Sequence, residues 1–544
     1  MMHGPVLCVI ALPNVSTLDF VSNPSVFRAP SMFNTVLICS GLGLAYALHL
    51  YLDYKRVMRL VRDFPGLRTI CHPYSILHGI SDKGFGNDPL FLGKYTFFEN
   101  AGCEAISWIN WWPRAKVSYV LADADAIKEV ASDRFRYVKP SECYTTINVY
   151  GDNIVASEGE VWKRHRKITA PAFSEKQNQL VWDETCRVID ELIENIWKSA
   201  PRVDVQDAKE FTLPAAISVI SAAGFGQRFS WQEDESVPEG HQMTFREALH
   251  SLCAGLIIVF AVPRWAMFLT SRLRVVRQSI DEVQKYMLEM IEERRYALDD
   301  KSRHDLFTLL MGNLEDGEEA ATEHELMGNI FVFLLAGHET TAHTLAFALG
   351  FLALYPETQD RVFREIQAVT DDFQRELSLN DISSLTYTVA VFYETLRMLP
   401  AVISIPKRCT EDTSISVHNH SGDKTVIPIP AGTYVLLDAM GLHYNPRYWS
   451  DPHEFKPERF LEDWNKDAYL AFSAGVRGCM GRKFAETEAV AILTKIISRY
   501  SVKITETPDL VEASFEQRKA RVMALKPGMT TTPAGIPLSF IRRV

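Results

Sequence analysis

The sequence predicts a mainly α protein with small β-sheets, built as one large domain behind a single apolar N-terminal helix. Three observations point there. Stretches with a 3.6-residue apolar period run over 182–198, 274–298, 323–355 and 356–370. Strand and turn patterns gather late, as at 425–437, where Ile427-Pro428-Ile429-Pro430-Ala431-Gly432-Thr433 reads as an edge strand closing in a turn. No repeat, Gly/Ser linker or low-complexity run interrupts residues 63–544. The chain of 544 residues is therefore read as one anchored domain, not the three or four that length alone suggests at roughly 150 residues each.

Taken in order, residues 1–34 form a tail and 35–52 a transmembrane anchor. The latter segment carries no charge, and as a helix it is roughly 27 Å long, about the thickness of a bilayer core. Lys55, Arg56, Arg59 and Arg62 follow in a basic segment, 53–62, whereas only Arg28 precedes it. The positive-inside rule then places the tail in the lumen and residues 63–544 in the cytoplasm. A basic n-region and a small-residue cleavage site, the marks of a signal peptide, are not evident. The sequon Asn14-Val15-Ser16 is usable in that topology. With 57 Lys+Arg against 68 Asp+Glu the net charge is -11, the wrong sign for a nucleic-acid partner. Nine cysteines, scattered and without a C-x-x-C pair, fit neither a disulfide framework nor a zinc-site spacing and indicate a reducing compartment.

The stretch 323–355 is opened by a capping box at Thr322 and Glu325, closed by Pro356 and apolar nearly all round, so it should run buried through the protein. Within it lies Ala336-Gly337-His338-Glu339-Thr340-Thr341. A buried acid and hydroxyls are costly without a purpose; a back-bonded Thr pair and a structural Gly are the plainer alternative. A zinc-protease reading fails on geometry. His338 and His343 are five apart, about 140° round a helix, and cannot share a metal on one face.

Eight of the nine cysteines read as small buried hydrophobes. Cys479 differs. It sits in Phe472-Ser473-Ala474-Gly475-Val476-Arg477-Gly478-Cys479-Met480-Gly481, just before an amphipathic segment. A helix N-terminus stabilises a thiolate through its dipole and free N–H groups. Gly475, Gly478 and Gly481 allow backbone to approach a flat ligand closely.

This loop resembles the F-x-x-G-x-R-x-C-x-G heme-ligand loop of the cytochrome P450 family. Three further motifs follow the family's order: Trp162 with Arg166, Glu394 with Arg397, and Pro457-Glu458-Arg459-Phe460. The resemblance spans about 63–544. It implies a cytochrome P450 fold with heme b between the long helix and the Cys loop, and Cys479 as axial iron ligand. Phe472 would pack beside the sulfur, with Gly475 and Gly481 shaping the loop. Arg477, Trp162, Arg166 and Arg408 would meet the propionates, and Glu394, Arg397 and Arg459 would form a structural triad. Glu339 and Thr340 resemble the family's acid–alcohol pair. Thr340 would hydrogen-bond dioxygen and Glu339 relay protons, with Ala336 and Gly337 leaving room for oxygen in a locally opened turn.

The implied activity is monooxygenation of a lipophilic small molecule, with O2 and with electrons from NADPH-cytochrome P450 reductase, because no flavin or NADPH motif follows the heme loop. Lys163, Arg164, Lys167, Arg482 and Lys483 would give a basic docking face. Substrate contacts are expected from 144–150, 211–219, Phe333, Ala336, 401–405 and 529–532. The apolar Ala401-Val402-Ile403-Ser404-Ile405 suits a terpenoid, sterol or acyl chain. The resemblance is to microsomal, fungal enzymes of the endoplasmic reticulum membrane, some of secondary metabolism. Two other classes share the Cys loop: a heme-thiolate isomerase or dehydratase that activates no oxygen, and a non-catalytic heme sensor. The Glu339-Thr340 pair weighs against both.

Overall fold

The computed structural model describes residues 32–61, 64–71, 89–231, 237–296, 306–311, 322–506, 510–526 and 528–543; the Asn14 sequon lies outside them. Helix α1 (Met32–Leu60) contains the predicted anchor but does not stop at the basic segment. Its length and composition from Val36 to Leu60 suffice to cross a membrane, and Leu37, Leu42, Leu44 and Leu48 are all exposed. Its far end docks on the catalytic domain, where Leu50 and Val57, and Val61 just beyond the helix, are buried.

The largest sheet has six strands: β1 (Gly66–Thr69), β2 (Ala105–Asn110), β3 (Lys116–Leu121), β4 (Tyr137–Val138), β5 (Ser404–Cys409) and β6 (Tyr434–Asp438). Their spatial order is β1-β2-β3-β6-β5-β4. A three-stranded sheet joins Tyr500–Ile504, Leu538–Arg542 and Arg202–Val205. The predicted edge strand is Lys424–Ile429, paired antiparallel with Thr413–His418, and Gly432 makes the following turn at φ 81°.

Helices make up the rest: α2 (Ala124–Ser132), α3 (Gly159–Thr169), α4 (Glu175–Glu191), α5 (Lys209–Val219), α6 (Phe245–Ala261), α7 (Ser271–Tyr296), α8 (Glu323–Leu354), α9 (Pro356–Val369), α10 (Thr386–Met398) and α11 (Arg482–Arg499). The helix expected at 182–198 starts earlier, at Glu175, because its polar first turns show no apolar period. It ends in a π-helical turn, Leu192–Ile196.

Helix α8 is the long element foreseen. Thr322 Oγ1 accepts the Glu325 N–H at 3.1 Å, while Glu325 Oε2 accepts the Thr322 N–H at 2.8 Å, satisfying two free donors at once. Pro356 then opens α9 and prevents continuation. Phe331, Leu334, Leu345, Phe347 and Leu349 are fully buried, so α8 forms the axis of the core. Between its two ends, only the stretch from Ala336 to Thr340 is accessible.

Candidate active site

The Cys loop is shaped by its own backbone. The Cys479 N–H donates to Phe472 O at 2.9 Å, and the Gly478 N–H to Gly475 O at 3.0 Å. Gly475 has φ 65°, and a Cβ there would lie 2.3 Å from Ala131 O at the end of α2; no other residue permits that approach. Arg166 of α3 donates from Nη1 to Gly478 O at 3.1 Å, holding the residue before Cys479. The thiol is accessible to water although protein surrounds it. Burial raises its pKa, and the Gly481 N–H, Arg166 and Arg482 pull it back. These three groups favour thiolate. Phe472 packs near Phe392 and Tyr393, with the Arg482 guanidinium 5.5 Å from its ring centre.

Opposite lies α8. The Phe173 ring centre is 5.9 Å from that of Phe333 on α8, and a Phe173 ring carbon is 3.9 Å from the position a Gly481 Cβ would take, so one side chain bridges helix and loop. Ala336 is exposed inside an otherwise buried helix, with Gly337, Glu339 and Thr340 partly so. Accessible thiol and accessible helix face together outline a slot suited to a flat ligand. Burial pushes the Glu339 carboxyl up to about 7. Thr340 Oγ1 donates to Ala336 O at 2.7 Å.

The opened turn expected at Ala336-Gly337 is not formed, and α8 runs as unbroken α-helix. The Thr340 hydroxyl adds to the helical bonding of the Ala336 carbonyl without displacing it. Gly337 also has a different reason for being glycine. A Cβ would lie 2.8 Å from Ile220 Cγ1, so it permits close packing against the π-helical turn after α5.

At one end of the site, cations outnumber anions. Arg477 pairs with Glu158 at 2.7 Å, donates to Ser157 O at 2.9 Å and lies 4.2 Å over the Trp162 ring. Lys139 sits 3.7 Å over the Tyr144 ring. Burial, then Arg477 and Lys407, push its ammonium down to about 7. Burial and Arg477 push Lys407 down to about 8. Among the described residues these three cations share Glu158 alone, so the chemistry of the cluster asks for further carboxylates, which heme propionates supply. Strand alternation in β5 sends Lys407 inward and Arg408 outward, where Arg408 pairs with Glu142 at 2.7 Å. The sequence reading named Arg408 and missed Lys407 and Lys139.

Glu394, Arg397 and Arg459 come together. Arg397 grips Glu394 through Nε at 2.7 Å and Nη2 at 2.9 Å, with both side chains fully buried, and Arg459 adds 3.2 Å from Nε. Arg397 also donates to the carbonyls of His443, Pro452 and Glu454. It thus ties α10 to the irregular chain that leads into the Cys loop.

Other expectations change. In the basic face, Arg164 is taken by Glu325, Lys163 by Glu160, and Lys483 by Glu486, which leaves a weaker positive surface than the sequence suggests. Within the 211–219 stretch, Phe211 belongs to the core, buried against Trp197 and Phe540. Helix α5 packs along α8, and α6 reaches α8 at Cys253, close to His338 and Glu339. The 401–405 and 529–532 segments do come together, since the Thr531 N–H donates to Ala401 O at 3.0 Å and Thr531 Oγ1 to Pro400 O at 2.6 Å. Thr530 Oγ1 lies 2.9 Å from His343 Nδ1 on α8. A solvent-open cavity of about 890 Å³ is lined by the 144–150 loop, α6, α7 and the start of α8; neither Ala336 nor Thr340 borders it, so it is distinct from the Cys479 site.

A long buried helix facing a thiol loop, with surplus cations at one end, defines a heme-thiolate protein. Residues 95–529 match the family model Cytochrome P450. The chain belongs to the cytochrome P450 family. It is 43% identical over 517 residues, 93% of this chain and 99% of the relative, to Cytochrome P450 monooxygenase 124 of Postia placenta. To Cytochrome P450 monooxygenase ORF6 of Penicillium roqueforti it is 29% identical over 463 residues, 76% and 79% of the two chains. Among solved structures, the cytochrome P450DA heme domain shares the fold, with a TM-score of 0.70 at 22% identity, covering 88% of this chain and 98% of that one. The protein is a P450 monooxygenase of fungal type that uses heme iron, O2, a redox partner and a lipophilic substrate.

Proposed function

We propose that this enzyme is a membrane-anchored monooxygenase of the endoplasmic reticulum. It carries heme b on Cys479, takes electrons from NADPH-cytochrome P450 reductase and hydroxylates a lipophilic molecule of terpenoid kind in secondary metabolism. The carrying observation is the accessible Cys479 thiol facing the accessible Glu339-Thr340 pair across one slot. Thiolate-ligated heme supplies oxygen activation, since the thiolate favours O–O cleavage.

The chain's own residues supply the rest. Arg477, Lys407 and Lys139, with Trp162 beside them, would hold the heme propionates, and Arg166 fixes the loop. Arg408 lies one residue outward and serves through Glu142. With a carboxyl near 7, Glu339 can both hold and release a proton at neutral pH, the property a relay needs. Thr340 hands its own hydrogen to Ala336 O, which leaves its oxygen able to accept a hydrogen bond from a proton-carrying water. Donation by Thr340 requires that bond to be released. The latched turn at 529–532, with the apolar 401–405 segment beside it, forms the substrate wall. Exposed Trp265, Phe268 and Leu269 between α6 and α7 give the membrane surface a second apolar contact besides α1. Lys167 and Arg482 are exposed on the basic face and add to its positive charge toward a reductase.

Purified protein with reductase, NADPH and a terpenoid and lipid panel tests the reading. A reduced carbon monoxide difference spectrum near 450 nm and oxygen-dependent product are expected. Thr340→Ala should keep that spectrum while product per NADPH falls; unchanged coupling would remove Thr340 from proton delivery.

A further inference from the structure

Where α6 crosses α8, three residues converge that the monooxygenase reading leaves out or uses only in part. Cys253 of α6 and His338 and Glu339 of α8 bring a sulfur, an imidazole nitrogen and a carboxylate oxygen within 4.8 Å of one another. Cys253 is 5% exposed and His338 2%. Buried polar groups are normally taken up by hydrogen bonds. Here the capacity is left over. Among the described residues, neither the Glu339 carboxylate nor the Cys253 thiol bonds another residue's side chain or backbone. His338 Nδ1 lies 3.0 Å from Leu334 O. A carbonyl only accepts, so Nδ1 carries the hydrogen and Nε2 the lone pair that a metal takes. That bond to Leu334 also fixes the tautomer, as second-shell bonds do for metal-ligating histidines.

A second cluster of equal compactness shows the contrast. Glu104, Asp123 and His418 also bring their ligand atoms within 4.8 Å, but their atoms are spoken for. Asp123 accepts from the Ala126 N–H at 3.0 Å, the His418 N–H at 2.8 Å and His418 Nδ1 at 2.7 Å. Glu104 accepts from Arg447 at 3.3 Å and the Tyr448 hydroxyl at 3.1 Å. That cluster fastens α2 to the Thr413–His418 strand and has nothing left for an ion.

We propose that Cys253, His338 and Glu339 form a zinc site, with a fourth position left to water. A mixed sulfur, nitrogen and oxygen set suits Zn2+ over Mg2+ or Ca2+, which take oxygen. In a tetrahedral site the ligand atoms stand roughly 3.3–3.8 Å apart, so the three need close by only about 1 Å, within side-chain rotation. Glu339 keeps some accessible surface, which gives the ion an entry. Binding displaces the Cys253 thiol proton to solvent, because a zinc-bound thiol is ionised. The site joins two helices, which is why the His338 and His343 pair on α8 alone was the wrong place to look. Zinc on Glu339 would occupy the proton-carrying carboxylate and act as a reversible brake on turnover. That consequence rests on the relay role given to Glu339; the binding does not.

The test uses the full-length, heme-loaded protein in detergent, stripped with chelator and then dialysed against buffered zinc chloride, with zinc per chain measured by elemental analysis. One zinc per wild-type chain is expected, with affinity at least about ten-fold weaker in Cys253→Ala and His338→Ala, since even second-shell changes cost that much. Both variants should keep the carbon monoxide spectrum. Equal zinc binding by wild type and variants, or none by wild type, overturns the site. Should a variant fail to hold heme, zinc-edge X-ray absorption of the wild type decides: one sulfur among the ligands supports the site, and an all-nitrogen/oxygen shell overturns it. Zinc that binds at this site without slowing turnover confirms the site and overturns the relay role of Glu339 instead.

Discussion

Replacing Glu339 by Gln should make the enzyme more stable at alkaline pH and leave it unchanged near the ordinary carboxyl pKa. Burial holds this carboxyl at about 7 against an ordinary 4.5. Between those values the folded chain keeps a proton that the unfolded chain has released, so stability falls as pH rises through the interval. Above it the native protein carries a largely enclosed carboxylate with no hydrogen-bond partner among the described residues. At about 1.4 kcal/mol per pH unit, the interval amounts to about 3 kcal/mol. Glutamine keeps the shape and has no proton to lose. For 544 residues, an unfolding entropy near 2.1 cal/mol/K per residue makes this about 3 °C in Tm. The assay is thermal unfolding of heme-loaded wild type and variant in parallel, with chelator present, from about pH 5 to about pH 9. The variant's advantage should be near zero at the acid end and level off at about 3 °C above pH 7. A flat difference across that range, or a variant less stable at pH 8, refutes the assignment of a buried, proton-holding Glu339.

Two further outcomes follow from packing. Arg397→Ala leaves Glu394 charged and buried, at a cost of about 3–5 kcal/mol, and it frees three carbonyls behind the Cys loop. Little heme-loaded protein should survive, by Soret absorbance per chain, and Arg397→Lys should not rescue it because a lysine cannot grip both carboxylate oxygens. Deleting residues 1–49 should move the enzyme from the membrane to the soluble fraction with its carbon monoxide spectrum intact. Deleting 1–61 should also lower Tm, because Val57 and Val61 are buried against the domain; equal Tm for the two deletions would contradict that docking.

Much of this site was readable in one dimension because its parts are local. The capping box of α8, the Cys479 loop and the Glu394–Arg397 pair each lie within ten residues, where spacing dictates geometry. Features that depend on tertiary packing were not readable. Cys253 looked like any buried cysteine, since its partners His338 and Glu339 lie some eighty residues on and meet it only where two helices cross. Lys407 and Arg408 are adjacent and alike in charge, and only the register of β5 against β6 decides which faces inward. Arg164 looked free until the N-terminal turn of α8 brought Glu325 to it. Gly337 carried a signal for an unusual residue, but the reason for it, Ile220, lies on another helix.

Helix α1 passes without a break from its apolar stretch into the contact that buries Val57. A flexible tether would let the heme domain tumble over a bilayer and meet partners from any side. A stiff shaft seated in the domain behaves differently. In the proposed anchored enzyme it would convert the tilt of the span into a fixed attitude of the whole domain, so that the cavity lined by α6 and α7 and the Cys479 face would each keep a set height and direction relative to the lipid. Lipophilic substrate dissolved in the bilayer and an electron donor moving along its surface would then approach along separate, constant routes.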